Sequence, residues 1–264
     1  VSFNSLFLEP REGNTAKNKS VRKAVSFLVA ILTLSIVLFA SFATLSYQWN
    51  WEAAFRYRLK FLDGWFTTLK ISSVSFIFAF VIGSLSTLCS KSRFLPLKYL
   101  SLIYVELIRG TPLLVQIFLF YYVIADAANV QNRYVVGVAI MAIFSGAYIS
   151  EILRAGIESV GRSQLLSAKS IGFTEYQTFR YVIAPQALRS SLPALAGQTA
   201  NLIKDSSLLS IIAISEFTLN AQEVNAITYS SFESFFPLAI GYLIITLPIM
   251  RLSRYIEERL RYDT

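Results

Sequence analysis

Arg109 stands in Glu106-Leu107-Ile108-Arg109-Gly110-Thr111-Pro112, with long apolar runs on both sides. A charge at the centre of a membrane helix costs on the order of 2.5–3.5 kcal/mol, so it must face protein or water. Thr111 can cap a helix and Pro112 suits a first helical turn. The motif therefore reads as a helix break with a positively polarised new start. Backbone at such a break can line a cavity but cannot face lipid. With Arg109 it can hold a carboxylate, such as that of an amino acid. A structural reading stands beside this one: Glu106 and Arg109 are three apart and can neutralise each other.

Glu151 poses the same choice. It lies three residues from both Tyr148 and Arg154, so it can pair with Arg154 at a solvated helix end or point inward to meet an amine. Further along, one apolar segment carries Gln198, Thr199, Asn201, Lys204, Asp205, Ser206, Ser207 and Ser210. Such a segment must be buried in protein or line a wet path. Lys204 and Asp205 are adjacent and point in different directions on a helix, which argues against a simple mutual pair. No catalytic constellation accompanies these groups. The chain has no histidine, and Cys89 is its one cysteine. Imidazole catalysis, thiolate metal clusters and an internal disulfide framework are therefore excluded, and no metal site is expected. There is no Gly-x-Gly-x-x-Gly after a strand and no phosphate-binding Gly-Lys-Ser/Thr, so ATP chemistry is not available within this chain.

The elements that must position these residues are membrane helices. The 264 residues are 55% hydrophobic and 15% charged, with a mean hydropathy of +0.54, too apolar for an ordinary soluble domain. Six spans are expected: Val25–Leu45, Trp65–Cys89, Leu100–Ala125 interrupted by the motif, Tyr134–Ile152, a polar Pro193–Ile214, and Phe235–Met250. The first exceeds the roughly 7–15 apolar residues of a signal peptide's core and is expected to be a retained helix. Trp49, Trp51, Phe55, Tyr57, Phe61 and Trp65, interleaved with Arg56, Arg58 and Lys60, read as an interfacial helix. A docking surface for a binding protein is the alternative. The net charge of +8 does not signal nucleic acid, because the basic residues sit in short runs flanking apolar spans.

Between the fourth and fifth spans lies a polar, basic insert of about 30 residues, long for a helix connection. Ala168 precedes Gly172 by four, and Pro185 closes a second amphipathic run of Tyr176, Phe179, Val182 and Ile183. A short helix, a glycine break and a second helix would make a firm knob suited to a partner's groove. Any amphipathic interhelical loop is the plainer alternative.

This insert resembles the cytoplasmic loop of permease subunits of ATP-binding-cassette importers, whose pattern is Glu-Ala-Ala, three residues, Gly, then about nine residues to Ile-x-Leu-Pro. Leu166 stands in place of the Glu, Ser167 of the first Ala, and Ala184 of the Leu before Pro185. Glu106 to Gln116 is similar to the signature of the polar-amino-acid branch, the histidine, glutamine and arginine type. Ser145 to Ile157 resembles that branch's next segment, and Lys204 to Ser210 a fourth block.

The resemblance implies an all-α integral membrane fold, a five-helix permease core plus one extra N-terminal helix. It covers most of the chain from Gly64 onward, giving the permease domain (64–251, with its coupling loop at about 156–192) and a cytoplasmic tail (252–264); the residues before it are read from their own pattern as a cytoplasmic segment (1–24), the extra helix (25–47) and an outer interfacial segment (48–63). It implies a substrate pathway at Arg109, Thr111, Glu151, Lys204, Asp205 and Ser206. ATPase coupling falls to Gln164, Ala168, Lys169, Gly172, Phe173 and Pro185. The implied partners are an ATPase subunit carrying ATP and Mg, a periplasmic or lipid-anchored amino-acid-binding protein, a second copy or paralogous permease, and membrane lipid. No cofactor of this chain's own and no nucleic acid are implied.

Charge sets the orientation. With the N-terminus inside, the inner segments hold Arg11, Lys17, Lys19, Arg22 and Lys23, then Lys91, Arg93 and Lys98, then Arg154, Arg162, Lys169, Arg180 and Arg189, then the arginines of the tail. Arg56, Arg58, Lys60 and Arg133 fall outside. This bias favours a multi-pass protein with both termini and the insert in the cytoplasm, and the resemblance implies that the membrane is the cytoplasmic (inner) one. The alternative function is an ATP-independent secondary transporter or channel, with the insert as a regulatory loop.

Overall fold

The structure, a computed structural model, describes residues 16–43, 47 and 49–261. The expected cytoplasmic residues 1–15, Arg11 among them, the last two residues of the first expected span and the tail's residues 262–264 lie outside the described residues. The described chain is helical and contains no strand, as expected. It forms two units, divided after Trp49.

The first unit holds α1, Ala16–Ala43, with an uninterrupted apolar stretch over Ala24–Val37. The second opens with the short α2, Trp51–Arg56, and the long α3, Arg58–Ser90. Next come α4, Leu95–Gly110, with Pro96 in its first turn, and α5, Leu113–Phe118, which continues as a π-helical stretch over Leu119–Ala125. The axis turns by 109° between α4 and α5. Asn132 then caps α6, Arg133–Glu158, accepting from the amides of Tyr134 and Val135. Two short helices, α7 (Arg162–Ser170) and α8 (Glu175–Thr178), lead through a π turn into α9, Ala184–Asp205. A 3₁₀ stretch over Ser206–Ile212 precedes α10, Phe217–Thr228, and α11, Ser231–Arg261.

Among the described residues, α3, α6 and α11 are each long and apolar enough to cross a membrane, and the bent pair α4–α5 makes a fourth candidate. The fifth expected span falls on α9 and the 3₁₀ stretch. Its polar side chains keep it below that hydropathy, and it is accommodated by packing on α6 and α11.

The most extensive packing is between α3 and α6, because glycine lets the two backbones touch. A Cβ on Gly83 would lie 2.8 Å from the carbonyl oxygen of Gly146 and 2.7 Å from Ile149. Lipid tails are as apolar as leucine, so such close approach and interhelical hydrogen bonds hold helices together in a membrane. The Ser86 and Ser101 hydroxyls are 2.8 Å apart, Ser150 reaches Ser86 at 3.1 Å, and Thr87 donates to the Ser150 carbonyl at 3.0 Å. These groups join α3, α4 and α6. The main apolar core is closed by Ile71, Ile108, Ile117, Met141, Leu202 and Ile214 among others.

A second centre fixes α10. Glu216 is fully buried and caps α10 by accepting from the amides of Thr218 (2.9 Å) and Leu219 (2.8 Å). Thr68 on α3 and Tyr242 on α11 donate to the same carboxylate at 3.3 and 3.2 Å. One side chain thus ties three helices.

Candidate functional site

Two sites assemble from the residues singled out in the sequence. The first is a polar cleft of about 620 Å³ between the α3–α4 turn, α4 and α6, lined by Lys91, Lys98, Glu106, Arg109, Glu151, Arg154 and Glu158 among others. Arg109 does not pair with Glu106, its neighbour on α4. It reaches across to α6 and donates to Glu151 at 2.9 Å, its guanidinium 5.5 Å from the centre of the Tyr148 ring. Glu151 also takes both its oxygens to Arg154, each at 2.8 Å. Arg154 continues to Glu158 at 3.1 Å, and Glu158 accepts from Lys91 at 2.7 Å. The result is an alternating row of charges from the α3 terminus to the break in α4. The Arg109 side chain is 41% exposed and that of Glu151 25%. Glu106 and Lys98 enter no ion pair among the described residues.

At the break itself, Thr111 closes α4 and does not cap α5. Its hydroxyl donates back to the Leu107 carbonyl at 2.9 Å, and Pro112, in extended conformation, takes the position before the new helix. A proline fixes its own φ and pushes the residue before it out of the helical region, which ends α4 at Gly110. The freed acceptors are gathered by Gln116, whose amide nitrogen meets the Ile108 carbonyl (2.7 Å), the Thr111 hydroxyl (2.8 Å) and the Thr111 carbonyl (3.1 Å). Gln116 was not singled out from the sequence, though a glutamine in an apolar run just past a break is a readable signal.

Lys204, Asp205 and Ser206 are not part of the cleft. α9 runs antiparallel to α6, because Ser191 donates to the Ile152 carbonyl and Gln198 donates to the Ser145 hydroxyl. Lys204 lies six residues beyond Gln198, and Glu151 six beyond Ser145 the other way, so they stand roughly 18 Å apart along the helices at 1.5 Å per residue. Ser206 is buried and donates to the Ile203 carbonyl at 2.8 Å, while Lys204 is exposed.

The second site is the knob formed by α7, α8 and the π turn. Gly172 has φ of +83°, a conformation that L side chains avoid, and nothing surrounds its missing Cβ within 4 Å. This lets the Phe173 amide return to the Ala168 carbonyl and the Gly172 amide to the Lys169 carbonyl, both at 3.0 Å, closing the end of α7. Thr174 and Gln177 then cap α8 reciprocally. Ala168 is buried beneath the turn, and a hollow of about 390 Å³ runs between α7 and Val182, lined by Gln164, Ser167, Ile171 and Phe173. Gln164 accepts from Gln186, beside Pro185 in the first turn of α9, at 2.6 Å. Leu166, in the place of the expected glutamate, is 55% exposed.

The chain matches the family described as "Binding-protein-dependent transport system inner membrane component" over residues 76–262. It is 34% identical over 200 residues to the probable glutamine ABC transporter permease protein GlnM of Bacillus subtilis (strain 168), covering 76% of this chain and 93% of that one. It is 33% identical over 216 residues to the glutamine transport system permease protein GlnP of Escherichia coli (strain K12), covering 81% and 99%. A solved structure of an amino acid ABC transporter with histidines superposes with a TM-score of 0.76 at 33% identity, covering 81% of this chain and all of that one. A multi-pass helical fold, a break beside a charged cleft and a glycine-turned knob therefore coincide with a family match over most of the chain. The protein belongs to the binding-protein-dependent inner membrane components, the permease subunits of ATP-binding-cassette importers.

Proposed function

We propose that this permease moves polar amino acids, and that its substrate exchanges with the Arg109–Glu151 pair inside the cleft. The observation that supports this is the sharing of Glu151. Arg154 already holds both of its oxygens, so Arg109 can leave without stranding a carboxylate. An abandoned buried charge would cost about 3–5 kcal/mol. The substrate carboxylate takes the place of Glu151 on Arg109 in a charge-assisted bond, and Glu106, which has no ion partner among the described residues, receives the ammonium. A zwitterion leaves the cleft's net charge unchanged, which suits the glutamine named for the relatives. Thr111 frames the site at the break. Lys204, Asp205 and Ser206, farther along, belong to the other end of the path.

The reading includes six spans with both termini in the cytoplasm, a permease domain over 64–251 preceded by the extra helix 25–47 and the interfacial segment 48–63, and two permease chains, alike or paralogous, enclosing the path. A periplasmic or lipid-anchored binding protein delivers substrate. A separate ATPase subunit holds ATP and Mg and docks on the 164–180 knob. Its closure rocks the helices and switches access from one side to the other.

Uptake of labelled glutamine by vesicles carrying the assembled transporter tests this. Arg109→Ala is expected to lower uptake at least about tenfold, the loss of one charge-assisted bond, while the ATPase subunit still co-purifies. Glu106→Gln should raise KM more than it lowers kcat. Near-normal uptake in Arg109→Ala, or loss of the assembly, assigns the pair to structure alone.

A further inference from the structure

A second cavity lies away from the cleft. α2, the start of α3 and one face of α11 enclose an almost wholly apolar crevice of about 950 Å³, lined by Trp51, Phe55, Leu62, Trp65, Ile240 and Ile244 among others. Trp65 pins its floor by donating to the Gly241 carbonyl at 3.1 Å, an approach open because Gly241 has no Cβ. The crevice opens on a face of α11 that is mostly unburied, with Ile244 60% exposed. From Arg58 to Trp65, and likewise from Pro237 to Ile244, a helix rises roughly 10 Å. That is about two-thirds of one leaflet of a hydrocarbon core ~30 Å thick.

Two charges stand at the mouth. The Arg58 guanidinium lies over the Phe55 ring, 4.7 Å from its centre, and donates to the Phe55 carbonyl at 3.2 Å. Glu52, one turn before Phe55 on the same face of α2, also lines the crevice. Neither charge is in an ion pair among the described residues. An apolar slot with one cation and one anion at its rim matches a ligand with an apolar chain and a headgroup carrying both signs.

We propose that this crevice is a binding site for a zwitterionic aminophospholipid of the phosphatidylethanolamine type. One acyl chain lies along Leu62, Ile240 and Ile244, the phosphate meets Arg58, and the ammonium meets Glu52. Arginine suits the phosphate because its planar fork binds two oxygens at once. The site is independent of the transport reading and stands or falls separately.

The test is native mass spectrometry of the full-length chain, purified in mild detergent and offered equimolar phosphatidylethanolamine and phosphatidylglycerol, with palmitate as a third probe. One phosphatidylethanolamine is expected to remain bound. Glu52→Gln should cut its preference over phosphatidylglycerol by about two- to fivefold, the scale of one exposed charge pair, and Arg58→Gln should weaken retention of both phospholipids similarly. Ile244→Trp, which fills the slot from its exposed side, should abolish retention with the chain still in the membrane. Equal retention of the two phospholipids, binding of palmitate alone, no retained lipid, or retention unchanged in both Glu52→Gln and Ile244→Trp would each overturn the proposal.

Discussion

Substitution of Gly172 separates backbone geometry from surface fit at the knob. Its φ of +83° places the chain in the left-handed region, where an L-residue costs about 1–2 kcal/mol. Apart from its two chain neighbours, nothing among the described residues lies within 4 Å of where a Cβ would stand, so the cost within the permease is conformational and not a clash with a packed element. Docking that requires the closed turn must restore it, and 1–2 kcal/mol corresponds to about a 5- to 30-fold loss of affinity. Asparagine enters the left-handed region more readily than alanine, so Gly172→Asn should lose less than Gly172→Ala, and Gly172→Val most. A graded co-purification titration of the ATPase subunit, normalised to the amount of permease in the membrane, reads this order. If Asn is worse than Ala, the partner's groove is measuring side-chain size and the turn argument is refuted. If all three bind as the parent does, the knob is not the docking element.

Two further substitutions probe what holds the site in place. Gly83→Val drives a side chain into the Gly146 carbonyl and Ile149, with the 2.8 and 2.7 Å contacts already too short for a single Cβ. Overpacking of this kind costs about 1–3 kcal/mol, and a thermal-shift measurement in detergent should show a lowered Tm; an unchanged Tm would mean that α3 and α6 can separate freely. Glu216→Ala removes the cap of α10 and the acceptor shared by the Thr68 and Tyr242 hydroxyls, which keep Phe217 and Thr218 as partners, with an expected loss of about 1–3 kcal/mol. Glu216→Gln keeps an acceptor and should recover part of that loss, and equal melting of the two variants would show that the network contributes little.

Much of this was readable from the chain. Long apolar runs fixed where α3, α6 and α11 lie, because length and hydropathy suffice in a membrane. The Thr111-Pro112 break was legible from what proline does to its neighbours, and the knob from one glycine between two amphipathic stretches. What the sequence did not yield were partners chosen across helices. Glu106 is the local candidate for Arg109, yet the ion pair forms with Glu151, 42 residues away, because the α4–α6 crossing brings those side chains together. Nothing local marks Glu216 as buried, because its partners Thr68 and Tyr242 are 148 and 26 residues distant. The polarity of α9 marks a segment that must be buried in protein or line a wet path, but only its antiparallel packing on α6 shows that Lys204 stands roughly 18 Å along the helices from Glu151.

The hydroxyl junction of Ser86, Thr87, Ser101 and Ser150 has a mechanical consequence. Each hydroxyl is donor and acceptor on a single atom and can exchange one role for the other by rotating about one bond. A small slip of α4 against α3 and α6 can therefore re-pair these groups without leaving any of them unsatisfied. Packed apolar side chains would have to unlock and repack to allow the same displacement. The three helices thus meet on hydroxyls that can hold them together while exchanging partners.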